Sequence, residues 1–525
     1  MHSMRLHTAR RPHFQSGMLS EPLIAVGGHH LHVDPKTGLG LYGPYCPTGQ
    51  TRPPLSTIIV GIVGPPGMAA DATKWLEACQ NVLLNDGREP LQHPHFPGFN
   101  ADHPFQCDLV FGDTWRHHLK NDEIAAALSE TNFYERIRRI VGAYVQGIEV
   151  LAQRDPKPNV VLCCVSQDVI DLCGVRPAGA GQFKRIKVSK SEREAMKDVE
   201  SGQGFLFAGM DPSLGIEDQQ LGHQNLRRGL KAEAMQYGIP TQLVWPRSLD
   251  LEDCDPKPGE RRVQDRATRA WNLTTALYHK AGGSPWRLAH IDPTVCFIGI
   301  SFYKEVRERN PRLRTSMAQA FTAAGDGYVL RGNSFEWDEV TYGRSPHLDA
   351  RSATALLADV IELYKKQNEG SLPSRIVVHK TSRFWEEELE GFRDACGMIP
   401  KSDFVAFGWR GIQFYRAAGD YPPLRGTYIK FTETDLALYT VGYIPFLGTY
   451  PGARVPRPLE ILEHHGDSGW DTTLREILAL TKMNWNTADF ACSEPITVAF
   501  ARRVGHILAE LPAQLPLQNE YRYYM

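Results

Sequence analysis

Two cationic residues, Arg227 and Lys231, are four positions apart in a stretch that has helical apolar periodicity. Residues at this spacing project from one face of a helix, where like charges repel each other unless an anion lies between them. Gln242 follows at the start of the next strand-like run, where its amide can donate to a phosphate oxygen or bind a cation. Lys280 ends a later helical stretch, beside a flexible Gly-Gly pair. A guanidinium fork, two ammonium groups and an amide suit a terminal phosphate.

The same residues also fit simpler interpretations. An Arg/Lys pair on a helix can form a solvated face, and Lys280 can complement the negative end of its own helix. Spacing alone therefore leaves a phosphate site and an ordinary helix surface both open.

The elements that carry these residues alternate between strand and helix. The pattern predicts strands over 56–63, 159–165 and 241–245, and helices over 71–84, 132–153, 223–237 and 266–280. This alternation is typical of an α/β unit with parallel strands and crossover helices. The charged, Gly/Ser-rich stretch 176–204 is expected to be an exposed excursion.

A second α/β unit is predicted downstream. Its pattern indicates a strand over 295–303 with a partner over 327–331, a helix over 352–367 and a further strand over 375–379. The fold class expected from the whole chain is therefore α/β, in two tandem units.

Composition sets broad limits on the function. A chain of 525 residues is long enough for two or three domains. The formal net charge of −2 neither supports nor excludes a nucleic-acid binder, because a balanced total can hide a basic channel. The sequence has no apolar run long enough to span a membrane, so no membrane association is expected. Its ten cysteines form no CxxC pair, which favours reduced thiols and a cytoplasmic location.

The first twenty residues contain several arginines but no apolar core of the kind a secretory signal needs. We interpret 1–20 as a flexible tail, with a transit peptide as the alternative.

Glycines at 61, 64 and 67 match neither nucleotide-loop pattern, and the intervening Pro65-Pro66 removes amides that a phosphate would need. The histidine pairs lack a second ligand cluster at metal-site spacing, so they predict no metal centre.

Six stretches, spread along the chain in the family's order, resemble the MID–PIWI core of short prokaryotic Argonautes. They are Asp34-Pro35-Lys36-Thr37-Gly38-Leu39 with Tyr42-Gly43-Pro44, Phe96-Pro97-Gly98-Phe99, Gly238-Ile239-Pro240-Thr241-Gln242, Lys280-Ala281-Gly282-Gly283-Ser284-Pro285-Trp286, Leu480-Thr481-Lys482-Met483-Asn484-Trp485-Asn486 and Tyr521-Arg522-Tyr523-Tyr524-Met525. The resemblance implies a Rossmann-like MID domain over 21–290 and an RNase H-like PIWI domain over 291–525. It also implies that the N and PAZ domains of longer Argonautes are absent.

The resemblance gives the cationic residues a role. It implies that Arg227, Lys231, Gln242 and Lys280 hold the 5′-phosphate of a guide strand. It also implies an Mg²⁺ ion in this pocket, bound by Gln242 and by the terminal carboxylate of Met525. One position departs from the pattern, because relatives often have Tyr or His where this chain has Arg227. Arginine adds positive charge, so a preference for a 5′-phosphate is still expected.

The same resemblance predicts an inactive nuclease site. Ser301 and Thr381 occupy positions at which slicing Argonautes have aspartates, and a neutral hydroxyl cannot replace a carboxylate that bridges two divalent cations. The last catalytic position is expected near 484–486, also without an acid. Glu336 or Glu339 could supply one carboxylate, but one carboxylate does not make a two-metal site. We therefore expect no intrinsic cleavage.

By resemblance, the chain is expected to load a guide RNA and to pair it with complementary single-stranded DNA from a plasmid or phage. Inactive short Argonautes typically work with a separately encoded partner that contains an APAZ domain. Its effector is most often a sirtuin-like NAD-degrading unit, next a TIR unit, and less often a nuclease. Two alternatives stay open: a guide-directed nuclease with an unusual metal site, and a stand-alone module that blocks its target.

Overall fold

The computed structural model describes residues 14–47, 55–85, 89–174, 225–252, 263–305, 313–322, 325, 327–343, 345–408, 411–414, 419–450, 455–512 and 514–525. The strands in these ranges, numbered in chain order, are β1 Gln15–Met18, β2 Ile24–Ala25, β3 Leu31–His32, β4 Thr57–Gly64, β5 Asp108–Val110, β6 Arg116–His118, β7 Val160–Cys164, β8 Thr241–Val244, β9 Arg287–Leu288, β10 Val295–Tyr303, β11 Leu313–Phe321, β12 Gly327–Glu336, β13 Arg375–Lys380, β14 Ser402–Gly408, β15 Thr427–Lys430, β16 Leu436–Leu438 and β17 Leu459–Gly466. The α-helices are α1 Pro35–Tyr42, α2 Pro66–Cys79, α3 Asn121–Leu128, α4 Phe133–Ala152, α5 Gln167–Cys173, α6 Leu226–Ala234, α7 Arg266–Lys280, α8 Glu339–Tyr342, α9 Ala350–Gln367, α10 Glu386–Ala395, α11 Trp470–Leu480 and α12 Ile496–Leu508.

The first unit is built on a parallel sheet in the order β5-β4-β7-β8, and β6 also pairs with β4. Strand β7 is buried at every position, as expected for a strand that is covered on both faces. Helix α4 covers one face through an apolar stripe, and the Tyr144 hydroxyl donates to the Cys164 carbonyl at 2.6 Å. The predicted parallel α/β arrangement is confirmed.

The second unit is a nine-stranded mixed sheet in the order β1-β15-β16-β17-β14-β13-β10-β11-β12. Strands β10, β13 and β14 are parallel at its centre, and the outer strands are antiparallel. Successive side chains of β10 point to opposite faces of the sheet. Ile298 and Ile300 pack in the core under α9, whereas Phe297 belongs to the core that contains Phe500 of α12. The central sheet therefore has helix α9 on one face and helix α12 on the other.

Four sequence expectations differ from the structure or fall outside it. Residues 15–18 of the expected tail form the edge strand β1, whose pairing with β15 uses backbone groups and leaves little apolar pattern to detect. The strand that begins at Gly327 pairs with β11, and β11 lies between it and β10. Helix α2 runs from Pro66 to Cys79 instead of over 71–84, because proline is tolerated in a first helical turn. The expected excursion 176–204 lies outside the described residues.

A small antiparallel sheet, β3-β2-β9, and a shared core connect the two units. The predicted division at residue 290 lies between β9 and β10, which belong to different sheets. Buried Trp286 donates its indole N–H to the Lys482 carbonyl at 2.9 Å, and its ring packs near Trp485. The two units therefore form one packed body at this point. None of the helices in the described ranges combines the length and the apolar character that a membrane crossing requires.

Candidate functional site

The predicted phosphate ligands lie together at a cleft of about 270 Å³, which we call the cationic pocket. Arg227, Lys231, Gln242 and Met525 line this cleft. The Lys280 ammonium donates a hydrogen bond to Gln242 Oε1 at its wall. Helices α6 and α7, strand β8 and the chain's last residue thus converge on one point.

Helix α6 positions two of the three cations. It begins after Asn225, whose side chain accepts a hydrogen bond from the Arg228 backbone N–H at 3.2 Å and caps the helix. Arg227 and Lys231 lie one turn apart in this helix. Lys231 is only 2% exposed, and its Nζ donates to the Thr241 carbonyl at 2.9 Å. This bond holds the ammonium against the start of β8.

Helix α7 positions the third cation. Asp265 caps its start by accepting from the Thr268 N–H at 2.9 Å, and Lys280 is its last residue. The chain then turns at Gly282, whose φ of +104° favours glycine. Lys280 is completely buried. Gln242 Nε2 donates to the Leu243 carbonyl at 3.1 Å, which leaves the amide oxygen directed at the Lys280 ammonium.

Burial and mutual repulsion weaken the protonation of all three cations. Burial, and after it the charge of Arg227, lowers the pKa of Lys280 to about 7. Burial lowers the pKa of Lys231 well below its ordinary value, and Lys280 and Arg227 add to the effect. Burial also lowers the pKa of the Arg227 guanidinium to about 10, with further contributions from Arg503 and Arg228. The pocket therefore gathers positive charge that water does not stabilise.

No aspartate or glutamate side chain lines the cationic pocket within the described ranges, although Met525 brings the carboxylate of the chain terminus to it. The two lysines donate to neutral acceptors, the Thr241 carbonyl and the Gln242 amide oxygen. Buried charge without a partner is unfavourable. An anion that enters the pocket would relieve this cost, and a phosphate monoester carries about −1.5 to −2 charges at pH 7.

The oxygen donors of the pocket fit a magnesium ion only in combination with a phosphate. Gln242 Oε1 has a second lone pair beside the one that accepts from Lys280, and Met525 brings the terminal carboxylate. Mg²⁺ is commonly held by one or two protein oxygens together with substrate phosphates and water. The described residues contain no group of three or more His, Cys, Asp or Glu that could hold a metal by itself.

Several residues of the cationic pocket were not predicted from the sequence. Trp75 and Trp245 give the pocket an aromatic wall, and the Arg269 guanidinium lies 4.7 Å from the centre of the Trp75 ring. Asn272 lines the pocket and accepts from the Ala488 N–H at 3.0 Å. These residues come from separate elements, so only the folded chain places them together.

A second cleft of about 190 Å³, which we call the polar cleft, contains the two positions expected to be catalytically degenerate. The Ser301 hydroxyl donates to the Ala501 carbonyl at 3.0 Å, and Thr381 is exposed. In the part of the chain that the structure describes, no acidic side chain lines this cleft. Its other polar lining residues are Tyr303, Ser345, His379, Lys380, Ser382, Arg502 and His506.

The backbone arrangement is similar to that of solved Argonaute structures. A Clostridium butyricum Argonaute bound to a guide DNA and a 19-mer target DNA shares 14% identity, with a TM-score of 0.59 over 96% of this chain and 54% of that one. An Aa-Ago structure with externally bound siRNA shares 14% identity, with a TM-score of 0.54 over 97% of this chain and 56% of that one. Drosophila Piwi shares 11% identity, with a TM-score of 0.54 over 97% and 56%.

The chain has the fold of Argonaute and Piwi proteins. The predicted fold is therefore confirmed: the first unit corresponds to the MID domain and the second to the RNase H-like PIWI domain. The chain spans just over half the length of these neighbours. Comparisons with protein-family models and with curated protein sequences find no match.

Residues 484–486, Glu336 and Glu339 do not line the polar cleft, and their assignment to catalytic positions stays a prediction. Asn486 lines the cationic pocket of the MID domain, and it is helix α12 that brings Arg502 and His506 to the polar cleft. The Glu339 carboxylate pairs with Arg314. A motif's place in the sequence does not show which of two neighbouring clefts it faces.

Proposed function

We propose that this chain binds the phosphorylated 5′ end of a guide strand in the cationic pocket and uses the guide to recognise complementary nucleic acid. The observation that carries the proposal is the convergence of Arg227, Lys231 and Lys280 in a buried pocket that no acidic side chain of the described ranges lines.

The burial of the lysines favours a ligand site over a solvated helix face. A cation on a helix surface is hydrated, but Lys231 is 2% exposed and Lys280 is fully enclosed. Keeping such groups protonated costs free energy in the absence of an anion. A terminal phosphate offers several oxygens, which suit the forked guanidinium of Arg227 and two point charges. A Mg²⁺ ion held by Gln242 and the Met525 carboxylate would add a further bond to the phosphate oxygens.

The guide is proposed to be RNA and the target single-stranded DNA, on the family resemblance. Two of the neighbours bind nucleic acid: one structure holds a guide DNA and a target DNA, and another holds an siRNA. Base pairing supplies sequence specificity in guide-directed systems, so the protein needs to recognise only backbone shape and the guide's end.

We further propose that the chain does not cleave its target. Two-metal hydrolysis depends on carboxylates around the scissile phosphate, and the polar cleft has Ser301 and Thr381 at the positions that the resemblance assigns to aspartates. Target recognition would instead activate an APAZ-containing effector protein in the cytoplasm, with a sirtuin-like or TIR NAD-degrading domain. Such activation is a free-energy coupling between the duplex channel and the partner interface.

Guide binding tests the proposal directly. Two labelled guides of one sequence, one with a 5′-phosphate and one with a 5′-hydroxyl, are titrated with the purified chain. The phosphorylated guide should bind more tightly. The double substitution Lys231→Ala, Lys280→Ala should remove this preference. The matched control is Lys74→Ala, Lys120→Ala, which changes two exposed lysines of the MID domain.

Equal affinity for the two guides, or an unchanged preference in the pocket variant, would overturn the pocket assignment. Incubation of guide-loaded chain with labelled target and Mg²⁺ or Mn²⁺ tests the second claim. Guide-dependent cleavage would favour the alternative of a nuclease with an unusual metal site.

A further inference from the structure

The polar cleft has the charge expected of an anion site. Four of its lining residues are basic or carry N–H donors, namely His379, Lys380, Arg502 and His506. Five others carry hydroxyl groups: Ser301, Tyr303, Ser345, Thr381 and Ser382. Because no carboxylate of the described ranges lines it, the cleft is suited to attract a phosphate without repelling it.

We propose that the polar cleft binds one backbone phosphate of the target strand through protein cations and hydroxyl groups, without a metal ion. The inference rests on the proposed function, since it assumes that a guide-paired target lies along the PIWI domain. It adds a contact that the 5′-phosphate pocket does not supply, and it gives the former catalytic positions a binding role.

Lys380 is held as a cation at the wall of the cleft. Its ammonium is buried, donates to Glu388 and lies 3.0 Å from His347 Nδ1. Glu388 is fully buried and does not line the cleft, so it stabilises the protonated lysine from behind. An ammonium group has three donors, and these two partners account for two of them. The third donor is suited to an oxygen of a ligand in the cleft.

Helix α12 supplies the opposite side of the cleft. Arg502 is about half exposed and pairs with Glu494 at the edge of the cleft. His506 Nδ1 lies 3.2 Å from the Arg228 guanidinium. Burial, followed by the charges of Arg228 and Arg502, lowers the pKa of His506 to about 4, so the ring is neutral at pH 7. Because Nδ1 accepts from Arg228, Nε2 carries the proton and is the ring's donor.

Phosphate neutralisation in the target provides the test. The chain is saturated with a phosphorylated guide, and a fluorophore on the guide reports that it stays bound. A set of complementary DNA targets is prepared in which each member has one phosphate replaced by an uncharged methylphosphonate. Target affinity is measured in EDTA. Neutralising the linkage at the cleft should weaken binding about tenfold, the scale of a charge-assisted contact.

A double substitution on the protein identifies the contact. Thr381→Val with Arg502→Gln changes two accessible residues of the cleft and leaves the buried Lys380–Glu388 pair intact. In this variant the sensitive linkage should have a clearly smaller effect than in wild type, because two of the proposed contacts to that phosphate are gone while Lys380 and His506 remain. Arg475→Gln is the matched control, since Arg475 is equally exposed and also paired with an acid, on helix α11. It should leave the sensitivity of wild type unchanged.

Three results would overturn the inference while the proposed function stands: no sensitive linkage in EDTA, a sensitive linkage that appears only with Mg²⁺, or a sensitivity that the cleft variant keeps at its full wild-type size. Failure of the wild-type chain to retain a phosphorylated guide would instead overturn the proposed function, and this inference with it. The guide signal separates the two cases within one experiment.

Discussion

Replacing Lys280 with methionine should make the free protein more stable and yet weaken guide binding. Methionine has a similar length and carries no charge, so it can occupy the enclosed space without the cost of desolvation. Lys280 is completely buried, and its ammonium donates to the neutral amide oxygen of Gln242. In most proteins a buried lysine is protected by a partner, but here the expected partner is the ligand.

The size of the effect follows from the lysine's pKa. Folding lowers this pKa from its ordinary value of 10.5 to about 7. Each pH unit is worth about 1.4 kcal/mol, so the charge costs up to about 5 kcal/mol of stability at pH 7. Losing the hydrogen bond to Gln242 offsets about 1 kcal/mol of this gain. The net stabilisation by Lys280→Met should therefore be about 3–4 kcal/mol at most.

The pH dependence has a definite sign. Between pH 7 and 10.5 the unfolded chain binds more protons at this lysine than the folded chain, so the stability of wild type rises with pH in this window. The advantage of the methionine variant should accordingly shrink as the pH rises toward 10.5. Guide affinity should fall about 10- to 100-fold, the loss expected for one charged hydrogen bond to a phosphate.

Thermal denaturation at pH 7 and at pH 10, with and without a phosphorylated guide, measures both effects. The melting temperature of Lys280→Met should exceed that of wild type at pH 7, and a guide should raise it by less than it raises that of wild type. Lys120→Met is the control, because Lys120 is an exposed residue of the same domain. A variant that melts below wild type at pH 7 but still binds the guide with full affinity would refute the reasoning.

Further predictions concern pH, metal, capping and the domain junction. Above pH 7, Lys280 must take up a proton when the phosphate binds. The affinity for phosphorylated guides should therefore decrease as the pH rises, with a slope that approaches about tenfold per pH unit, and the affinity for 5′-hydroxyl guides should change less. EDTA should lower affinity for phosphorylated guides severalfold and spare 5′-hydroxyl guides; an equal effect on both would count against Mg²⁺ bound through the Met525 carboxylate. Asn225→Ala should remove the cap of α6 and cost about 1 kcal/mol, seen as a lower melting temperature, with Asn225→Ser restoring it. Trp286→Phe should leave the buried Lys482 carbonyl without its donor and cost about 1–3 kcal/mol; an unchanged melting temperature would show that water replaces the bond.

Elements with local start and stop signals were predictable from the sequence. The bounds of helix 266–280 agree with α7, because Asp265 caps its start and the Gly-Gly pair follows its end. Strand 295–303 agrees with β10, because its residues are almost all apolar. In each case the information lies within the element itself, so no long-range contact is needed to find it.

Elements that depend on distant partners were not predictable. Strand β1 is mostly exposed, and it forms because β15, about 400 residues away in sequence, offers a free edge for backbone hydrogen bonds. Strand β11 lies between β10 and β12, but a hydrophobic pattern does not reveal the order of strands in a sheet. The sequence therefore predicted the fold class but not the antiparallel half of the second sheet.

The residues of the candidate site were predictable, but their burial was not. Helical spacing placed Arg227 and Lys231 on one face, and the family resemblance added Gln242, Lys280 and Met525; the structure brings all five together. Their phosphate-binding role stays a prediction. The complete burial of the lysines was not predictable, because it depends on how α6, α7 and β8 pack. That burial is what converts a common charge pair into a strong candidate for an anion site.

The most direct test of guide-directed recognition is the affinity of the guide-loaded chain for two single-stranded DNA targets of equal length and composition, one complementary to the guide and one scrambled. Guide-dependent recognition predicts tight binding of the complementary target, weak binding of the scrambled one, and no discrimination when the guide is omitted or the Lys231→Ala, Lys280→Ala variant is used. Equal binding of both targets by the guide-loaded wild-type chain would contradict it.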